Sequence, residues 1–463
     1  MAGVFAGLVH ALARSRAEAE AAPEGAAGAS RRRRRGREQQ QRHTEQQQSQ
    51  QPPQHEQAEV PAEEAARGAD KRARGEGGAT RDAPARSQAL ETLLVEHASP
   101  APWGYFKGAR FSPDGLCLLT NSEDAGLRVF EVQQLLGGEP ELGPALAPAL
   151  RSDAGECVHD LCWHPEMDSR EPSSCCFASV QRGRPLALWD AYSGMLRAGY
   201  TTLDRAEEPA DLYSVAFSAD GERLYAGADR GVFVADVERP AERGAFLATC
   251  GPRRARAPGL RGLVSALHGR PGAPTQFAAG SFGGAIALFD ERNGSRDRAA
   301  HGAAVVVLAA AALVAHAHVR GVSQLAFDPS GAKLYSGGRK DSAGVLCWDL
   351  RRADRPLTAF PRLAATHQRI SFDVDGRWLA TGCSSGRALV YDTARPGSDP
   401  PVFLSPHMGD AVNSASLRRA RLEDGRSMLA LATGQRARDD ADDDEPGPPP
   451  AVPALPKLAL LAF

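Results

Sequence analysis

Between residues 322 and 350, short apolar runs alternate with clusters of turn-forming residues. The runs are 322–327, 333–336 and 345–348, and between them stand Asp328-Pro329-Ser330-Gly331 and a second segment from Gly337 to Gly344. Runs of this length bounded by Gly, Pro, Asp and Ser predict a strand, a tight turn, a strand, a longer turn and a strand. Pro329 presets one turn dihedral, and Gly331 can take the positive φ that strains a residue bearing a Cβ. The product is an antiparallel meander.

The meander ends in Trp348-Asp349, the dipeptide that marks blades of WD-repeat propellers. One such sheet buries neither face alone and must stack against copies of itself. The copies are present. Phe111-Ser112-Pro113-Asp114-Gly115 leads to Phe130-Glu131, and Cys162-Trp163-His164-Pro165 leads to Trp189-Asp190. Phe217-Ser218-Ala219-Asp220-Gly221 leads to Ala235-Asp236, residues 263–267 lead to Phe289-Asp290, and Phe372-Asp373-Val374-Asp375-Gly376 leads to Tyr391-Asp392. Successive unit ends lie 43 to 59 residues apart, the blade period plus insertions. Six units are clear. A seventh is degraded: residues 411–417 read as its first strand, Asp424-Gly425 as a turn and 428–433 as its second strand, with no aromatic-Asp ending. Propeller architecture suggests residues 92–95 as its outer strand. The fold class expected is therefore all-β, a seven-bladed WD-repeat β-propeller over residues 91–438.

Composition refines this picture. Seven blades need about 300 residues, so the 463-residue chain has flanks to spare. Residues 1–90 are rich in Ala, Arg, Glu, Gln and Gly and nearly free of aromatic and β-branched residues, a composition that cannot offset ordering entropy and predicts a disordered tail. Within it, Arg31, Arg32, Arg33, Arg34 and Arg35 form a cationic cluster, a candidate nuclear-import signal that competes with an ordinary solvated charge run. Residues 439–463 open with an acidic run and a proline run and read as a second disordered flank. Its end, residues 458–463, is apolar enough to dock as an edge strand.

The formal charge of −2 selects no partner class. Eight scattered cysteines lack an even framework or CxxC spacing, so buried reduced thiols and no metal are expected. No run of 18 apolar residues exists, and no transmembrane helix is expected. Residues 3–13 lack the basic flank of a signal peptide. An alanine-rich insert at 294–317, with an Ala/Val/Leu run at 303–315, falls where a blade-to-blade loop belongs. It reads as a surface helix packed on the propeller or as sequence retained through an imperfect gene model, the second being favoured.

His318, Ser336, Asp341 and Trp348 in blade five look on paper like a Ser/His/Asp arrangement. A structural network is the stronger interpretation, because in WD-repeat blades residues of these types at these places bond one another and fix the turn. No nucleophile elbow, phosphate loop, HExxH or dinucleotide fingerprint accompanies them, so neither an enzyme nor a cofactor is expected.

Several segments carry a closer resemblance. Phe106-Lys107-Gly108 entering the first unit, Val158-His159-Asp160-Leu161-Cys162-Trp163, and above all Ser336-Gly337-Gly338-Arg339-Lys340-Asp341 with Leu346-Cys347-Trp348-Asp349-Leu350-Arg351, and Gln368-Arg369-Ile370-Ser371-Phe372-Asp373, resemble the telomerase Cajal body protein family. The Arg-Lys-Asp and Gln-Arg-Ile segments are not generic propeller consensus. The resemblance covers most of positions 105–435, in family order; the flanks, the alanine-rich insert and the thin seventh blade depart from it.

The resemblance implies an RNA-binding scaffold of the nucleus and its Cajal bodies. Its partners would be small Cajal body RNAs, telomerase RNA and box H/ACA ribonucleoprotein proteins, with neither membrane nor DNA among them. A propeller rim can present basic and stacking side chains to an unpaired RNA loop. The candidates are Arg339 and Lys340 in a blade turn, Arg351 and Arg369 near strand ends, and Arg184 before a third strand, each weighed against an ordinary surface cation. The alternative is a protein-only WD-repeat adaptor in a ubiquitin-ligase or chromatin complex, since propellers host many partners.

Overall fold

A computed structural model describes residues 92–93, 105–132, 148–203, 208–250, 259–298, 304–314, 317–340, 343–395, 397–419, 421–422, 425–435 and 458–463. The Arg31–Arg35 cluster, the acidic run after residue 438 and Asp341 lie outside them. The described residues form a seven-bladed β-propeller and contain no helix.

Each of the first six blades is a meander of four strands. Blade one comprises Phe106–Phe111, Cys117–Ser122, Gly126–Glu131 and Leu150–Asp153. Blade two comprises Val158–Trp163, Cys176–Gln181, Leu186–Asp190 and Leu196–Tyr200. Ser214–Phe217, Arg223–Ala228, Gly231–Asp236 and Ala245–Ala248 make blade three. Blade four follows with Val264–Arg270, Ala273–Ser281, Ile286–Arg298 and Ala304–Val314. Blade five is Val322–Phe327, Lys333–Gly338, Val345–Asp349 and Thr358–Phe360, and blade six is Phe372–Val374, Trp378–Gly382, Ala388–Asp392 and Phe403–Leu404.

The tight turns between first and second strands follow from their residues. Gly115, Gly221, Gly331 and Gly376 all take positive φ, 67° at Gly331. Ahead of Gly115, Asp114 accepts the backbone N–H of Leu116 at 3.0 Å and closes the turn.

Blade seven closes the ring from both chain flanks. Val412–Leu417 and Met428–Thr433 are its first two strands, as the apolar pattern indicates. Its third strand is Leu458–Ala462, which pairs with Met428–Thr433 on one side and with Thr92–Leu93 on the other. The C-terminal apolar segment is thus interior to its sheet, not an edge. Its residues alternate: Leu458 and Leu460 pack toward blade one, Ala459 and Leu461 toward blade six. Both faces are buried because two blades flank it.

The insert departs from expectation. Ala304–Val314 is a strand, not a helix, antiparallel to Ile286–Arg298 and parallel to Ala245–Ala248 of blade three, so blades three and four share one eight-stranded sheet. Two ladder partners outweigh the helix propensity of alanine, and Val305-Val306-Val307 suits an extended backbone.

The core is divided into slabs, one at each of the seven interfaces between successive blades, including the closure between blades seven and one. Large apolar side chains such as Phe177, Tyr225, Phe277 and Tyr335 fill these slabs.

Candidate nucleic-acid interface

In a meander, the start of each first strand and each turn between second and third strands lie at one end of the propeller. Turns after the third strand lie at the other. This topology sorts the candidate cations. Arg184, Arg339, Lys340 and Arg369 share the first end. Arg351 sits at the opposite end, away from them.

The two ends differ in how their arginines are held. At the Arg351 end, an aspartate of the third strand captures a nearby arginine. Arg351 grips Asp349 with Nε at 3.0 Å and Nη2 at 2.7 Å. Arg292 holds Asp290 and Arg197 holds Asp190, both at 2.7 Å. Arg351 pulls the Asp349 carboxyl down to about 2. These arginines spend their positive charge on their own blade.

The other end keeps more charge available. Arg184 and Lys340 are exposed, and Arg184 has no polar partner among the described residues. Arg339 lies over the ring of Phe282, 5.5 Å from its centroid, and its Nη2 reaches His367 Nδ1 at 3.4 Å. Phe282 is 39% exposed. A guanidinium stacked on an exposed ring is a surface on which an unpaired base can lie.

Arg369 is placed differently. It enters blade six and crosses to blade two, where its Nη1 meets Asp160 Oδ1 at 2.7 Å. The mouth of the central channel around this pair is a cavity of about 60 Å³ lined by Lys107, Arg110, His159, Asp160, Arg369 and Ser371 among others. Sequence reasoning passed over Lys107, Arg110 and Asp160. The available signal was opposite charge on neighbouring first strands, Lys107 and Arg110 in blade one and Asp160 in blade two.

A closed circle of hydrogen bonds surrounds that mouth. Lys107 Nζ donates to Val158 O at 2.9 Å, His159 Nδ1 bonds Leu212 O at 2.8 Å, Ser214 Oγ donates to Val264 O at 2.9 Å and Ser265 Oγ to Val322 O at 2.6 Å. Gln324 Nε2 continues to Phe372 O at 2.7 Å, Ser371 N to Asn413 O at 2.7 Å, and Asn413 Nδ2 returns to Phe106 O at 2.9 Å. Register shifts at Lys107, His159, Ser265 and Asn413 turn these side chains toward the next blade, the usual consequence of a bulge.

In blade five, Ser336 Oγ accepts Trp348 Nε1–H at 2.8 Å and lies 2.8 Å from His318 Nε2. Ser336 is fully buried, and His318 and Trp348 nearly so. The hydroxyl therefore ties the second strand to the third and to the loop entering the blade, and no substrate can reach it. Blade two repeats the bond, with Trp189 Nε1 to Ser179 Oγ at 2.8 Å. All eight cysteines are free, and burial pushes the Cys117 thiol up to about 11. Among the described residues no group of His, Cys, Asp or Glu is placed to hold a metal ion, and no helix is long and apolar enough to cross a membrane.

No protein-family model matches the chain. Individual proteins do. The chain is 34% identical over 345 residues to telomerase Cajal body protein 1 of Homo sapiens, covering 73% of this chain and 58% of that protein. It is 31% identical over 341 residues to the telomerase Cajal body protein 1 homolog of Drosophila melanogaster, covering 72% and 57%. A fission-yeast protein named guanine nucleotide-binding protein negative regulator 1 is 24% identical over 294 residues. The chain spans less than three-fifths of the length of the human and fly relatives. With a seven-bladed WD-repeat propeller and this level of identity, the chain is a homologue of the telomerase Cajal body proteins.

Proposed function

We propose that this chain is a non-enzymatic, RNA-binding scaffold that directs small Cajal body RNAs and telomerase RNA, as box H/ACA ribonucleoproteins, to Cajal bodies of the nucleus. The observation that carries this is the identity of about one residue in three with proteins named for telomerase and the Cajal body. The distribution of charge supports it. Arg184, Arg339, Lys340 and Arg369 share one end with an exposed ring, whereas Arg351 is neutralised at the other. Sequence-specific RNA recognition usually reads unpaired, splayed bases by stacking while cations grip the backbone. Arg31, Arg32, Arg33, Arg34 and Arg35 would serve nuclear import.

The test is crosslinking and immunoprecipitation of the tagged full chain from nuclear extract, with sequencing of the attached RNA. Enrichment of small box H/ACA RNAs that share one loop motif supports the proposal. Background RNA beside a stoichiometric protein partner would replace it with the protein-only adaptor in a ubiquitin-ligase or chromatin complex.

A further inference from the structure

The channel mouth holds more positive charge than its acid neutralises. Lys107, Arg110 and Arg369 line the cavity with a single carboxylate, Asp160. That carboxylate is shared. Its Oδ1 lies 2.7 Å from Arg369 and 3.6 Å from Arg110, and its Oδ2 accepts the backbone N–H of Val215 at 3.2 Å. Lys107 finds only neutral acceptors, Val158 O at 2.9 Å and Cys157 Sγ at 2.8 Å. Arg369 Nε is buried without a hydrogen-bond partner. Lys107 and Arg110 stand on the first strand of blade one, and Arg369 lies three residues before the first strand of blade six, tied down by its bond to Asp160. Gathering them costs repulsion and lost hydration, and an anion of small volume relieves both.

We infer that the channel mouth is a binding site for a phosphate group. Guanidinium and ammonium donors converging on one small cavity suit tetrahedral oxygens. The phosphate comes from an RNA backbone seated across the channel or from a free polyphosphate. Only the first source rests on the ribonucleoprotein proposal; the site itself does not.

The experiment uses the full chain and two probes, a single-stranded RNA of mixed sequence and inositol hexakisphosphate, each titrated by calorimetry. Lys107→Gln and Arg110→Gln are the variants, because Arg369 holds Asp160 more closely, at 2.7 Å against 3.6 Å for Arg110. Each loses a charge-assisted contact, so probe affinity drops by about tenfold or more per substitution. Lys107→Arg retains most of it, and Arg351→Gln at the far end changes nothing. Protection of Lys107 from amine acylation by saturating probe, read by mass spectrometry on the unsubstituted protein, checks the site without relying on a variant's folding. Loss of affinity for RNA alone assigns the phosphate to a nucleic-acid backbone, and loss for inositol hexakisphosphate alone assigns it to a soluble polyphosphate. Either result, with Lys107 protected, supports the site. Failure of both probes to bind, or binding that leaves Lys107 fully reactive and is unchanged in both variants, overturns it. If immunoprecipitation recovers no box H/ACA RNA while the polyphosphate still protects Lys107, the ribonucleoprotein proposal falls and the site stands.

Discussion

Arg128 shows how a single residue can hold a blade together. It is 1% exposed, yet it carries a charge. Its Nη2 meets Asp124 Oδ2 at 2.6 Å and its Nη1 donates to Ser122 Oγ at 2.5 Å. Gly126 makes room, since a Cβ there would sit 2.5 Å from the guanidinium. Burial pushes the Asp124 carboxyl up, but bonds from Arg128, Ser122 and the Gly126 N–H prevail and hold it at about 2. Removing one partner of such a pair strands the other, so Asp124→Asn should cost about 3–5 kcal/mol in chemical denaturation. A loss under ~1 kcal/mol would mean that Arg128 is hydrated after all. In blade five, Ser336→Ala removes the acceptor of the buried Trp348 N–H and should cost about 1–3 kcal/mol. RNA binding per folded molecule should be unchanged, as expected of a brace. His268 makes stability depend on pH. Lost hydration, reinforced by Arg110 and Arg419, depresses it from 6.5 to about 4. The unfolded chain therefore takes up the proton first. The contribution of His268 is complete above pH 6.5 and disappears as the pH falls toward 4. Denaturation midpoints of the wild type and His268→Gln at pH 7.5 and 5 should converge on acidification if this holds.

At the scale of elements, blade seven is the informative case. Its first two strands were legible as apolar runs, and residues 458–463 as a segment able to dock at an edge, but not their interior place in this sheet, because an acidic and proline-rich stretch separates them from the other two. Periodicity marks a segment as a strand but not which sheet receives it. Leu460 is 1% exposed and packs with Phe106, Leu118 and Phe130 of blade one. Leu460→Ala should destabilise the protein by about 2–5 kcal/mol. Deleting residues 458–463 should do more, because it opens the faces toward blades six and one together, and thermal unfolding with aggregation monitoring will register it. A truncated chain as stable as the full one would mean that another segment closes the ring. The insert makes the same point. An alanine run favours a helix locally, but two strand edges were waiting for it, and pairing with both made it a strand.

Across the whole molecule, the circle of hydrogen bonds from Lys107 round to Asn413 links all seven blades, so the channel mouth is rigid while the outer turns can vary. The ends are electrically unlike, and RNA binding should weaken as salt rises, with a logarithmic slope that falls by roughly one unit for each phosphate-contacting cation removed. Substitution of Arg184 or Lys340 should flatten the slope; substitution of Arg351 should not. Equal effects from both ends would place the RNA elsewhere.

The sequence by itself determined the blade. Apolar runs of strand length, Asp/Ser/Gly turns and aromatic-Asp endings act locally, each within a few residues of the next, and can be read in order. It also determined that Ser336 and Trp348 sit in matching places of one meander. Only the tertiary structure decided what the charges do. Arg351 and Arg369 look alike as residues, but one folds back on the aspartate two positions before it and the other spans the channel to an aspartate 209 positions away. Closure of the ring, the joining of blades three and four, and the concentration of Lys107, Arg110 and Arg369 around one carboxylate depend on contacts between distant segments. Such contacts follow from how seven blades pack around an axis, which no local pattern encodes.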